Sequence, residues 1–510
     1  MENTIKNKIL LFDELVEKVK SLQQSGSVVV QSHGTFDLVH PGVIRHLNSA
    51  RSQGDILIVT IVKDKDVRRG PGRPVFPEEL RAENVASLSQ VDFVCIVDNQ
   101  IPFECIKKLK PDVFAKGQSH KERDTTIHGK IFEDTEELFF EKSRVHETEG
   151  YSFSTSQIIN NFIDIYPEET KKFLKDFSKR YSFHNIVENL NELKDVKVLI
   201  IGDGIIDEYH YCKGVGKTAK AHLVSTKYLD DEVFAGGAFA IANHIAGLCD
   251  NLHLVTLLGR EASREDFIHS NLNPNIKTRF FYREDGPTIV KKRYIEQYYN
   301  QKLFEINYLN DEYIDKECEK SIIKYLKEVI PDYDVVLVSD FGHGFITKDI
   351  INVIEKYSKK YAVNTQTNSA NAGFNLITKY RKPYYVCLDE PEMRYTAQDR
   401  FAGIDGITLR IKEKIEAEYI IVTLGRSGSI GINNNNEINH TPIFSSKVVD
   451  TVGAGDAFFA FTAPCFAQGM PVDLVSFIGN TVGAIAVQIV CNKKPVEKHE
   501  LLEFIHALLK

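Results

Sequence analysis

No two of the eight cysteines, Cys95, Cys105, Cys212, Cys249, Cys318, Cys387, Cys465 and Cys491, form a C-x-x-C pair. The usual ligand spacing of a structural zinc site is therefore absent, and so large a chain has little need of a disulfide framework. Reduced thiols, buried as small hydrophobes, are the expectation. An excess of basic residues is missing too. Lysine and arginine number 63 against 71 acidic residues, a formal net charge of -8, which argues against nucleic acid as a partner. No apolar run approaches the ~20 residues of a membrane span, so no membrane partner is expected. Residues 1–20 mix Glu and Lys with apolar positions at helical spacing, unlike a signal peptide, and a cytoplasmic location follows as the default expectation. No internal repeat is present.

What is there is an ordinary globular composition, 43% hydrophobic and 26% charged, over 510 residues. One core stops growing near ~250–300 residues, so two domains are expected. Short β-branched runs at 27–31, 55–62, 91–97 and 112–115 alternate with helical stretches, which implies βαβ units and a parallel sheet covered on both faces. The pattern fades after residue 163, and a polar helical stretch follows. It restarts at 196–202, with further strands near 252–257, 335–339, 361–363, 385–388 and 419–423. The reading is α/β throughout: a Rossmann-like domain over 1–165, a linker over 166–195, and a second α/β domain over 196–510 with a small β lid. The polar run 433–436 reads as a hairpin tip.

The strongest motif is Asp450-Thr451-Val452-Gly453-Ala454-Gly455-Asp456, followed by an apolar helix. Gly453, Ala454 and Gly455 open that helix and bare its amides, which attract the charge of a phosphoryl group. Asp456 is placed to take a proton from a substrate hydroxyl, and phosphoryl transfer asks for little beyond positioning, charge stabilisation and such a base. A glycine-rich turn that merely caps a core helix is the bland alternative. The fragment Gly214-Val215-Gly216-Lys217-Thr218 is not a phosphate loop, because Tyr211 stands where the first glycine is required; it reads as part of the lid.

This motif resembles the second signature of the ribokinase/fructokinase-type carbohydrate kinases, and the likeness runs from about 196 to 510. The resemblance implies ATP as phosphate donor and Mg²⁺. It implies substrate contacts at Asp203, Asp207, the Gly236-Gly237 turn, Asn243 and Asp340, and nucleotide contacts at Thr423, Gly425 and Gly428. Where the family has N-x-x-E this chain has Asp389-Glu390-Pro391-Glu392, so Glu392 and Asp389 are the implied metal ligands, a set of oxygens that suits a hard cation. A second departure is the neutral run 363–369, with Asn364 and Gln366, in place of a D-P-x pattern.

In the first domain, Gly34-Thr35-Phe36-Asp37 and His40-Pro41-Gly42 lie between a strand and a helix. An imidazole beside helix-opening amides suits a triphosphate. These residues resemble the G-x-F-D and H-x-G-H motifs of nucleotidylyltransferases. So do the Arg69–Pro74 stretch, Arg81 as a phosphate-neutralising cation, Lys116 at a strand end, and Ser154-Thr155-Ser156. The second motif histidine is Val43 here; His46, about one helical turn on, reads as a core or solvated histidine, and His33, just before Gly34, is another candidate. The two halves together resemble the bifunctional heptose 7-phosphate kinase/heptose 1-phosphate adenylyltransferases of surface-polysaccharide synthesis, in reversed order, with Lys292 and Asn300 among the implied sugar contacts. That implies a sugar phosphate and a nucleotide as small-molecule partners, ATP or CTP in the first domain, and a homodimer formed through the lid. Two other readings stand beside it: a sugar kinase whose first domain only senses nucleotide, fed by Val43, and a non-catalytic scaffold, fed by Asn364 and Gln366.

Overall fold

The computed structural model describes residues 5–67, 70, 72–98, 103–117, 144–148, 158–160, 165–218, 223–298, 300–368, 371–445 and 447–510. By packing, the chain divides into two units, Met1–Val187 with His499–Lys510, and Glu188–Lys498. The last residues join the first unit through contacts such as Asn160 Nδ2 donating to Ala507 O at 2.8 Å, and Phe183 against His506 with ring centres 4.8 Å apart.

The first unit is built on β1 (Val29–Gly34), β2 (Ile56–Val62), β3 (Phe93–Val97), β4 (Val113–Gly117) and β5 (Arg144–Thr148). They lie in the order β3-β2-β1-β4-β5, every pairing parallel. The apolar runs serve two faces. Val30, Leu57, Val59 and Val94 pack with Leu47 and Ala50 of helix Pro41–Arg51 and with Ala82 and Val85 of helix Glu78–Ala86. Val29, Ile58 and Cys95 pack with Leu15 and Val19 of helix Phe12–Gln24. Helices on both faces explain why these strands carry continuous apolar runs instead of alternation. The strand order reverses direction between β1 and β4, the place where open parallel sheets leave a crevice for ligands.

The second unit carries β6 (Lys197–Gly202), β7 (Gly204–Lys217), β8 (Val224–Gly237), β9 (Asn251–Glu261), β10 (Ile276–Pro287), β11 (Ile289–Glu296) and β12 (Gln301–Tyr308). Then follow β13 (Val335–Asp340), β14 (Tyr361–Thr365), β15 (Tyr385–Asp389), β16 (Tyr419–Thr423), β17 (Ser429–Ile432) and β18 (Ile438–Thr441). Nine of them form the main sheet, β10-β9-β6-β13-β14-β15-β16-β17-β18, and the other four a lid, β12-β11-β7-β8. The main sheet is parallel from β10 to β16; β17 and β18, joined at the tip near 433–437, run antiparallel. Helices Ala454–Ala467 and Val472–Ala486 are apolar nearly all round and correspondingly buried. Asp203 alone separates β6 from β7, so the sheet passes into the lid across a single carboxylate residue.

Candidate functional site

Because β6, β13, β14, β15 and β16 are parallel, their carboxyl ends share one edge of the sheet, and Asp203, Asp340, Gln366, Asp389 and Thr423 gather there. Asp456 joins them from the first turn of helix Ala454–Ala467, whose N-cap Gly453 has φ +84°, a left-handed conformation that glycine adopts without strain. Asp456 is buried and accepts a hydrogen bond from Gln366 Nε2 at 2.9 Å. Burial and the nearby charge of Asp207 push its carboxyl up to about 7, against the lowering influence of Lys291 and Gln366. A carboxyl so placed takes up a proton readily near neutral pH.

Asp203 is also buried, accepts from Phe341 N at 3.0 Å, and is pushed up to about 7 by burial and by Asp340. Asp207 bonds Arg293, which also meets Glu305 Oε2 at 2.7 Å. A Cβ at Gly236 would strike Asp207 Oδ2, so the glycine makes room for that oxygen. Asp340 is held within the protein by Lys379, by the Tyr380 hydroxyl and by Gly342 N. Asn243 spans Asn271 O and Asn273 N at 2.8 and 2.9 Å, and so ties down the loop after helix Glu265–Asn271. Lys292 pairs with Glu208 at 3.0 Å, and Asn300 occupies an exposed turn between β11 and β12 with φ +50°. The neighbouring Arg293, in contrast, is turned to Asp207 and Glu305.

Asp389 and Glu392 form the capping box of helix Glu390–Ala397: Glu392 N donates to Asp389 at 2.8 Å, and Asp389 N to Glu392 at 2.9 Å. Thr367 N adds a third bond, to Glu392 Oε1 at 3.0 Å. Burial, with Asp389 beside it, holds Glu392 well above the ordinary carboxylate range, the condition of a site that lacks positive charge. Such oxygens fit Mg²⁺, which takes one or two carboxylates and fills its remaining positions with water and phosphate oxygens. Beyond β16, Leu424 N bonds Gly428 O at 2.8 Å to close a tight turn, with Gly425 and Gly428 both at positive φ. Residues 214–218 lie at the lid edge, as Tyr211 implied, with Gly214–Lys217 in β7 and Thr218 N bonded to Leu223 O at 2.9 Å.

In the first unit, Gly34 ends β1 and Gly117 ends β4, with Lys116 beside it, at the two sides of the order reversal. His40 is the N-cap of helix Pro41–Arg51, its Nδ1 accepting from Gly42 N at 3.1 Å, and burial lowers its proton affinity. Val43 packs partly buried on the core. His46 is bonded to Ser32 Oγ at 2.7 Å and His33 Nδ1 lies 3.0 Å from Thr60 Oγ1, so both serve the scaffold. Thr35 and Asp37 are buried, and Asp37 accepts from Val75 N at 2.6 Å and Phe76 N at 3.2 Å while Phe36 adopts φ +49°. Arg81 corrects the sequence reading. Fully buried, it donates to Thr35 O, to Phe76 O at 2.9 Å, to Val62 O at 2.7 Å and to Asp64 Oδ1 at 2.6 Å, so it braces the loop instead of facing a phosphate. Ser154, Thr155, Ser156 and Arg69 lie outside the described residues.

One connection at the site has no local signal in the sequence. Asp450, at the head of the glycine motif, accepts from Tyr209 OH at 2.7 Å and Lys302 Nζ at 2.6 Å, and so ties lid strands β7 and β12 to the motif. Nothing in the local pattern signals it, because the partners are 241 and 148 residues away.

Residues 196–494 match the model of the pfkB family carbohydrate kinases, and residues 32–161 a cytidylyltransferase-like model. Among curated proteins, the chain is 23% identical over 330 residues to the bifunctional protein HldE of Hydrogenovibrio crunogenus, covering 63% of this chain and 65% of that one. It is 43% identical over 106 residues to the protein of that name from Gluconobacter oxydans, 20% of this chain and 22% of that one. The matched stretches thus cover 65% and 22% of the length of these relatives, less than two thirds in each case. The fold of phosphofructokinase-2 from Escherichia coli, in complex with substrates and products, superposes with a TM-score of 0.50 at 12% identity, over 62% of this chain and all of that one.

Proposed function

The chain belongs to the pfkB family of carbohydrate kinases, and from that membership we propose that it transfers phosphate from ATP to a sugar or sugar phosphate, and a nucleotidyl group to a sugar 1-phosphate. The observation that carries the kinase half is Asp456 beside the amides of Gly453, Ala454 and Gly455 at a buried helix tip. Asp456 takes the proton of the acceptor hydroxyl as its oxygen attacks the γ-phosphorus, ADP departs, and the amides meet the charge on the transferred group. Asp203 and Asp207 accept from sugar hydroxyls. Glu392 and Asp389 would hold Mg²⁺, which neutralises nucleotide phosphate charge when bound.

The nucleotidyl half is supported by the order reversal between β1 and β4, the helix opening at His40, Lys116, and the cytidylyltransferase-like match. ATP is preferred over CTP by resemblance to the heptose enzymes, whose two activities, with a sugar phosphate made and then activated for surface polysaccharide, would suit this pairing of units. No helix among the described residues is long and apolar enough to cross a membrane. Exposed Leu303, Phe304 and Ile306 on β12 support a homodimer through the lid.

Two assays separate the readings. ADP formation across a panel of sugars and sugar phosphates, with Asp456→Asn as control, tests the kinase; a wild type silent on every sugar sinks it. Pyrophosphate release with each of four nucleoside triphosphates and heptose 1-phosphate tests the first unit; its absence leaves a nucleotide-sensing module.

A further inference from the structure

Lys291, on β11, is 8% exposed, and among the described residues no acceptor holds its ammonium by a hydrogen bond or an ion pair. Its nitrogen lies 5.4 Å from the centre of the Phe341 ring, a cation–π contact that tolerates a charge without neutralising it. Arg293, two residues along the same face of β11, is instead paired with both Asp207 and Glu305. The register sets Lys291 opposite Asp207, and its charge is felt at Asp456. A buried ammonium without an acceptor is expensive to maintain. Left in place, it points to a partner that comes with a ligand.

A second, independent observation lies across from it. His343, on the loop after β13, is 3% exposed, and its Nε2 has no hydrogen-bond partner. Burial and the charge of Lys291 push its imidazole down to about 3, so the ring is neutral at physiological pH and has a proton to donate. Two unsatisfied nitrogens, from the lid and from the main sheet, thus face a region whose carboxylates already suit hydroxyl groups. Asp207, Glu305 and Asp203 offset the Lys291 charge from a distance, but among the described residues none of them bonds its ammonium.

We propose that Lys291, assisted by His343, is a phosphate-binding residue of the kinase site, its ammonium receiving a phosphate oxygen that enters with the substrates. This rests on the kinase reading above. The phosphate has two sources, the group in transfer from the nucleotide or an ester already on the sugar, and both present the same oxygens.

Lys291→Met and Lys291→Arg test it in the full chain, with fructose, fructose 6-phosphate and inorganic phosphate as probes. Inorganic phosphate should raise the melting temperature of the wild type and of the Arg variant but not of Lys291→Met. The Met variant should melt no lower than the wild type without phosphate, since it removes an unpaired buried charge. In turnover, kcat/KM should fall at least about 30-fold. A loss confined to the KM of fructose 6-phosphate assigns the residue to the sugar's ester, and an equal fall in kcat for both sugars assigns it to the phosphoryl in transfer. If neither sugar is turned over by the wild type, the kinase reading suffers while the melting experiment still decides the role of Lys291. Phosphate protection that is absent from the wild type, or unchanged in Lys291→Met, overturns the proposal.

Discussion

Gln366 donates its side-chain amide to Asp456 across 2.9 Å, so a residue at the site of a family departure holds the proposed base. The amide orients the carboxylate and lowers its proton affinity without adding charge. Gln366→Leu removes both effects. Turnover should drop about ten-fold, the worth of one hydrogen bond to a charged group, and the acidic limb of the pH–rate profile should move upward. A drop without that movement would leave Gln366 with a packing role only.

The wild type should lose kcat/KM as pH falls through about 7, where burial and Asp207 have raised Asp456. Stability should run the other way. Asp203 and Asp456 are raised to about 7, above their ordinary 3.8. The folded state therefore holds more protons than the unfolded chain between about pH 4 and 7, and stability falls as pH rises through that window. Asp456→Asn should cut turnover by roughly 10²–10⁴, and thermal melting should show a shallower decline over the same range.

Glu392→Gln should raise the Mg²⁺ concentration needed for half-maximal turnover; its single amide oxygen keeps one of the two backbone bonds, from Thr367 N or Asp389 N, and its NH₂ faces the other, so a modestly lower melting temperature should accompany the change. Chelation of Mg²⁺ should abolish ADP formation in both proteins. An unchanged Mg²⁺ requirement in Glu392→Gln would remove the residue from the metal site.

The tether from Asp450 to Tyr209 and Lys302 should keep the lid registered over the substrate. The double variant Tyr209→Phe, Lys302→Met should raise the sugar KM several-fold with a smaller change in kcat. Proteolysis within the lid strands should quicken. Equal rates of cleavage in variant and wild type would detach the tether from lid order.

Arg81→Met leaves Thr35 O, Val62 O and Asp64 without their buried donor. The loss of one partner of a buried charged network costs about 3–5 kcal/mol. The first unit should melt earlier and be cut sooner by protease, while ADP formation at low temperature persists. An Arg81 variant as stable as the wild type would return the residue to the phosphate-binding reading.

Local pattern made the elements legible. The apolar runs at 55–62 and 196–202 became β2 and β6 because both faces of their sheets are covered, and glycine at 453 told of a helix opened at its amides. What the pattern could not carry was partner choice. Arg81, after Pro77-Glu78-Glu79, and Lys116, before Gly117, both read in the sequence as cations for a phosphate; only packing made the first a buried brace. Lys291 and Lys292 are adjacent, and the parity of β11 alone sends one inward and the other to Glu208.

The sequence by itself determined two α/β units, the order of their strands along the chain, and Asp456 at a glycine-opened helix, since periodicity, turn chemistry and capping act over a few residues. Tertiary structure decided which carboxylates lie unpaired, which cations are spent on the scaffold, and that Lys302 reaches Asp450 over 148 residues. Those outcomes depend on desolvation and on long-range registry, and neither exists until the chain has packed.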